Sequence, residues 1–199
     1  MRPDEAQLDR RRRFLMRKVV ASELVSLDGV MGSPQEWAFS YSNDEMEQAN
    51  ASGIAASDAL LLGRATYQEF ASYWPYQNSA DQPYTDYLNR TPKFVVSKTL
   101  EGPLEWQNST LIKGDVAKEI TELKRQPGKD ITIIGSAALV QSLLCDGLLD
   151  ELRLMVHPVV LGSGKRLFED EGDQKALELV DSKPFSTGVL YLTYQPTQS

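Results

Sequence analysis

Apolar and polar positions follow two rhythms along this chain. Short, largely apolar runs read as strands: Lys18 to Val25 (KVVASELV), Ala59 to Leu62 (ALLL), Lys93 to Ser97 (KFVVS), Ser109 to Lys113 (STLIK) and Asp130 to Gly135 (DITIIG). Segments with helical spacing lie between them. EMEQANASGIAAS follows Ser42 and Asn43, either of which can serve as N-cap. Thr66 to Ala71 and Pro83 to Leu88 read as short helices. VAKEITELKRQ, capped by Asp115, carries Val116, Ile120 and Leu123 on one face, and SAALVQSLLCDG ends at Gly147. Beyond DELRLMVHPVVLG the long helices stop. Leu177 to Ser182, a turn around Pro184 and Gly188, and Val189 to Tyr194 read as a hairpin. The alternation predicts an α/β fold with a mostly parallel sheet flanked by helices and antiparallel strands at one edge.

The bulk numbers narrow this without changing it. A length of 199 residues, 41% hydrophobic and 25% charged, fits one globular domain. Residues 1–16, with arginines at Arg10 to Arg13 and no long apolar run after them, are expected to be a flexible tail before a single domain at 17–199. The net charge of −7 argues against a nucleic-acid surface. No apolar run approaches the roughly 20 residues that span a bilayer. One cysteine, Cys145, excludes an internal disulfide and fits a reducing, cytoplasmic setting. Its apolar surroundings, SLLCDGLL, predict that it fills the core. With only His157 beside it, no ordinary zinc site is available, so no metal is expected.

The candidate chemistry sits where three strands end. Leu62 runs into Gly63, Arg64, Ala65 and Thr66; Val96 into Ser97 and Lys98; Ile134 into Gly135, Ser136, Ala137 and Ala138. Ligands of open α/β sheets lie at carboxyl ends of strands, where helix N-termini favour anions. The small residues let a pyrophosphate approach the backbone. Arg64 and Lys98 supply charge, and Thr66 and Ser97 supply hydroxyls. A pyrophosphate with one additional phosphate, as in NADPH, would use them all. Two other motifs fail: GSGK (Gly162 to Lys165) lacks P-loop spacing, and no G-x-G-x-x-G follows the first strand. His157, before Pro158, reads as structural.

In order along the chain, SLDGVMG, LLGRATYQEF, FVVSKTL, ITIIGSAALVQSLL, DELRLMVHPVVLGSGKRLF and the closing hairpin resemble the dihydrofolate-reductase-like superfamily, and within it the reductase domain of riboflavin biosynthesis. The resemblance covers about Arg17 to Gln195. It implies a three-layer α/β/α fold and an NADPH-dependent reductase, expected as a homodimer. Gly63, Arg64 and Thr66 match the family's first phosphate-binding turn. Ser97 and Lys98 match the grip on the 2′-phosphate side, and Gly135 to Leu139 the turn over the pyrophosphate. Asp28 and the loop through Gly32 match the segment closing over the nicotinamide. The chain departs from the family at a Gly-Ser-Ala turn, at Val140 where a tyrosine is expected, and around Trp37 to Glu45. The zinc-deaminase motifs H-x-E and P-C-x-x-C are absent.

The expected reaction is hydride transfer to a 5-amino-6-(5-phosphoribosylamino)uracil-like substrate. A pterin, folate or other heterocycle is the alternative substrate, and a non-catalytic nucleotide-binding protein is the alternative class. Asp28 and Asp44, with Glu45 beside them, are candidates for proton handling or substrate orientation. Trp37, Tyr41 and Trp74 are candidates for the substrate side, against a default of aromatic packing.

Overall fold

A computed structural model describes residues 16–80, 84–168 and 174–197. The expected tail up to residue 15 and Pro83 therefore lie outside the described residues. The elements run β1 (Val19–Ser26), α1 (Asp44–Ala56), β2 (Ser57–Gly63), α2 (Arg64–Tyr73), α3 (Thr85–Arg90), β3 (Lys93–Val96), β4 (Ser109–Ile112), α4 (Val116–Arg125), β5 (Asp130–Ile133), α5 (Ala137–Cys145), β6 (Glu151–His157), β7 (Leu177–Pro184) and β8 (Leu190–Pro196). The helix starts obey local chemistry. Asn43 caps α1 by accepting from the Met46 N–H, and Asp115 caps α4 by accepting from Lys118.

The strands form one eight-stranded sheet in the order β4-β3-β2-β5-β1-β6-β8-β7. Its first six strands are parallel, and β8 and β7 close the far edge antiparallel, as the alternation predicted. The run ALLL is buried on both faces, which is why it shows no alternation. On one face α4 and α5 cover Val19, Ala21, Ala59, Leu61, Ile131 and Ile133. On the other, α2 and α3 cover Leu60, Leu62 and Val95, while α1 lies over Met155 beside Phe185 and Val189. The three-layer architecture follows. No described helix is long and apolar enough to cross a membrane, and no described cluster of His, Cys, Asp or Glu could hold a metal.

One expectation fails. Cys145 is exposed, not core. Helix α5 buries Ala137, Leu139, Val140, Leu143 and Leu144, and Ala138, Ser142 and Cys145 share the outward stripe. The apolar run is simply wider than the buried face.

Lys93 is an unexpected core residue, fully buried at the start of β3. Its ammonium donates to the carbonyls of Leu88 (2.8 Å), Thr91 (2.8 Å) and Asn89 (3.3 Å), closing the C-terminus of α3, and lies 4.3 Å from the centre of the Trp106 ring. Burial pulls it down to about 8, which leaves it mostly charged at neutral pH. Lys93→Met strips those carbonyls of their donor. It should lower unfolding free energy by about 2–4 kcal/mol in urea titrations, and an unchanged midpoint would refute the capping role.

Candidate active site at the carboxyl edge of the sheet

Strand order decides which predicted residues meet. β3, β2 and β5 are adjacent and parallel, so Ser97, Gly63 and Gly135 emerge side by side from one edge. The two glycine turns touch: the Gly63 N–H donates to the Gly135 carbonyl at 3.3 Å. Gly63 has ordinary extended dihedrals (φ −75°, ψ 161°), so it is glycine for space and not for conformation. A Cβ there would collide with Ser136 Oγ and stand 3.0 Å from Ser136 Cβ and 3.2 Å from Ser136 N. Gly135 is different: its φ of +75° lies in the left-handed region, and Thr66 Oγ1 crowds its open side.

Helices α2 and α5 both start at this contact, with Gly63 and Ser136 as their N-caps and no side chain capping either start. The leading N–H groups of Arg64, Ala65 and Thr66 on one helix, and of Ala137, Ala138 and Leu139 on the other, open the helices; Leu139 already donates to Ser136 O. Arg64 and Lys98 are exposed beside them and enter no salt bridge among the described residues. The Ser97 hydroxyl accepts from the Thr99 (3.2 Å) and Leu100 (3.0 Å) N–H groups and lies 3.5 Å from Thr99 Oγ1. Two positive helix ends at one edge, with two exposed cations and a hydroxyl on the turns that leave it, are the chemistry that suits an anion.

The other candidates are placed differently. Asp28 lies on the loop after β1, where its carboxylate accepts from Ser26 Oγ (2.7 Å), Leu161 N (3.1 Å) and Gly162 N (2.9 Å). These hydrogen bonds, led by Ser26, hold it down to about 2. It is a clasp on the HPVVLGSGKRLF segment, and an acid that strong holds no proton to donate at neutral pH. The same segment receives Leu27 N on Val159 O and Met31 N on Lys165 O, and returns Leu167 N to Gly29 O. Asp44 is exposed at the first turn of α1. Glu45 is committed to Ser186, accepting from its N–H and hydroxyl at 2.7 Å each, which lowers its pKa.

Trp37 and Tyr41 pack edge-on against His157, with ring centres at 5.2 and 5.7 Å, at the end of β6. His157 is fully buried and bonds Met155 O through Nδ1 at 2.9 Å; burial lowers its pKa, as suits a structural, neutral imidazole. Trp74 does not join them. Helix α2 descends about 15 Å from the carboxyl edge, and Trp74 at its end takes the Asn89 amide on its carbonyl, near the start of β3. Glu23, in the middle of β1, was not foreseen: it accepts from the Gly135 N–H at 2.8 Å. A carboxylate between Ala21 and Val25 on a buried strand face was the available signal.

The family of RibD C-terminal domains matches residues 17–191. YyaP of Bacillus subtilis, an uncharacterised protein, is 31% identical over 182 residues, covering 89% of this chain and 94% of its own. A Shewanella protein assigned by its name to riboflavin biosynthesis has a similar structure (TM-score 0.73, 24% identity, 91% of this chain and 99% of that one). So does dihydrofolate reductase from Enterococcus faecalis, solved with NADP(H) (TM-score 0.57, 15% identity, 91% and 97% covered).

Two outcomes test this geometry. Gly63→Ala should force the two turns apart and lower unfolding free energy by about 1–3 kcal/mol; a neutral thermal melt would show that the contact is not tight. Asp28→Ala should speed hydrogen exchange at the Leu161 and Gly162 amides about tenfold or more. In the intact protein the clasp is present above the ordinary carboxylate range and lost as pH falls through about 2. Unchanged exchange in the variant would remove the clasp.

Proposed function

The chain belongs to the family of RibD C-terminal domains, and from that premise we propose that it is an NADPH-dependent reductase of the riboflavin-biosynthesis type. Its substrate in this reading is a 5-amino-6-(5-phosphoribosylamino)uracil-like pyrimidine. One observation carries the proposal: the ends of β3, β2 and β5 meet at a single edge with two helix starts that no side chain caps and two exposed cations, Arg64 and Lys98, that enter no salt bridge among the described residues.

The residues fit the cofactor's charges. The helix starts after Gly63 and Ser136 take the pyrophosphate, with Thr66 and Arg64 beside it. Ser97 and Lys98, one strand further out, take the 2′-phosphate side. When bound, NADPH supplies the hydride. The chain's share is to hold the nicotinamide end against β1, β5 and the loop from Asp28 to Gly32, which the 158–167 segment braces. Glu45 is committed to Ser186 and is not free to orient a substrate. Asp44, exposed at the same helix start, remains the candidate for handling a substrate proton.

A second copy of the chain is the expected partner. Edge strand β7 is largely exposed, with Leu179 and Val180 uncovered on it and Leu190 on its neighbour β8.

Steady-state NADPH oxidation with the phosphoribosylamino-uracil is the direct test. Turnover supports the proposal; tight NADPH binding without turnover on any heterocycle overturns it in favour of a nucleotide-binding protein. Lys98→Ala should weaken NADPH by about 1.5–3 kcal/mol, the scale of a charged hydrogen bond, and NADH much less. Equal losses for both cofactors would contradict the 2′-phosphate role.

A further inference from the structure

Strand β1 presents Val19, Ala21, Glu23 and Val25 to the layer under α5. Three of these are apolar and fully or nearly buried; Glu23 is 5% exposed among them. Its only hydrogen bond among the described residues is the one its Oε1 accepts from the Gly135 N–H. That N–H belongs to the turn whose carbonyl is held by Gly63 N. Both peptide groups of Gly135 are therefore fixed, one by each neighbouring strand, at the point where α5 opens.

Among the described residues Glu23 enters no salt bridge. Across β6 its register partner is Leu154. In the same layer β5 contributes Ile133, and α5 contributes Ala137 and Val140. The loop after β1 brings Met31 against Gly135, and α2 brings Thr66. None of these titrates. Burial pushes the Glu23 carboxyl up to about 8, with the Gly135 N–H as the opposing influence. Of the basic side chains at this edge, Arg64, Lys98 and Lys165 are exposed, and Arg166 is half-buried with its Nε donating to the Asp28 carbonyl.

We propose that Glu23 is the positioning residue of the anion site: a neutral carboxyl that fixes the Gly135 turn, and that weakens cofactor binding when it ionises. This rests on the nucleotide-binding reading above. The physical reason is placement. An anion at the α5 start would have Glu23 behind the turn that holds it. A neutral carboxyl there accepts the N–H and adds no charge. A carboxylate sets a negative charge against the cofactor phosphates, in an interior where screening is poor. Affinity is then highest below about 8 and falls as pH rises through it. By linkage, bound cofactor raises the Glu23 pKa further.

The test is NADPH affinity, measured by fluorescence titration between pH 6.5 and 9.5, for the wild-type chain, Glu23→Gln and Glu23→Leu. Glutamine keeps a carbonyl for Gly135 and cannot ionise, whereas leucine offers no acceptor. The wild type should lose about tenfold across the range. Glu23→Gln should be flat and close to wild type at pH 7, and Glu23→Leu should be weaker at every pH. A purely structural role predicts the same pH profile for wild type and Glu23→Gln, and that result would overturn the proposal. Should the wild type bind no NADPH at any pH, the nucleotide reading fails by itself. Glu23 is then judged on the free protein. The Gly135 amide resonance should titrate near pH 8 in the wild type and not in Glu23→Gln; an amide that does not titrate rejects the ionising carboxyl.

Discussion

The contact between the Gly63 and Gly135 turns is the constraint on which the functional edge depends. Two crossovers of the chain, one through α2 and one through α5, leave their strands at the same height and within hydrogen-bond reach. No side chain larger than hydrogen fits at Gly63, because Ser136 occupies the space. That closeness brings two helix starts to one place. Had β1 lain between β2 and β5, the same turns would face separate ligands, since neighbouring strands lie about 4.8 Å apart and the offset would double.

A second constraint works on the other half of the edge. The loop after β1 and the segment after β6 are laced together by backbone pairs and by the Asp28 carboxylate. Gly164 passes so close to Val30 that a Cβ would stand 2.7 Å from the valine side chain. Together the loop and the segment form a braced rim beside β1, with Trp37 and Tyr41 packed over His157 at its outer end. The conspicuous string HPVVLGSGKRLF thereby acquires a physical role as the partner of SLDGVMG.

Much of this was legible in the sequence, and the remainder was hidden for identifiable reasons. Strands and helices followed from period and capping, because each element's local preference agrees with its place in the fold. The three strand ends were recognisable from small and basic residues after apolar runs. Their adjacency was not, since order within a parallel sheet is set by crossovers that no single segment encodes. Asp28 looked like a proton handler because a DG turn discloses nothing about which distant N–H groups reach its carboxylate. Trp74 looked like a substrate contact until the descent of α2 carried it to the amino end of β3. Cys145 misled because apolar runs at helix ends outlast the buried stripe. Lys93 and Glu23 are ionisable residues inside strands, and whether such a group faces solvent or core depends on what the next layer supplies.

On the proposed reading the chain must solve a local problem, because its net charge of −7 works against a polyanion at long range. Two cations at the rim, Arg64 and Lys98, are a modest counterweight, and salt screens both contributions within about 10 Å. What salt does not screen is the interior: the helix ends, the peptide groups fixed around Gly135 and whatever lies behind them. A carboxyl buried there is tolerable only while neutral, because a carboxylate would oppose the same dipoles that attract the ligand. Burial among Ile133, Leu154 and Val140 is what keeps it neutral, so the apolar layer beneath α5 acts on the charge of the site as well as on the stability of the sheet.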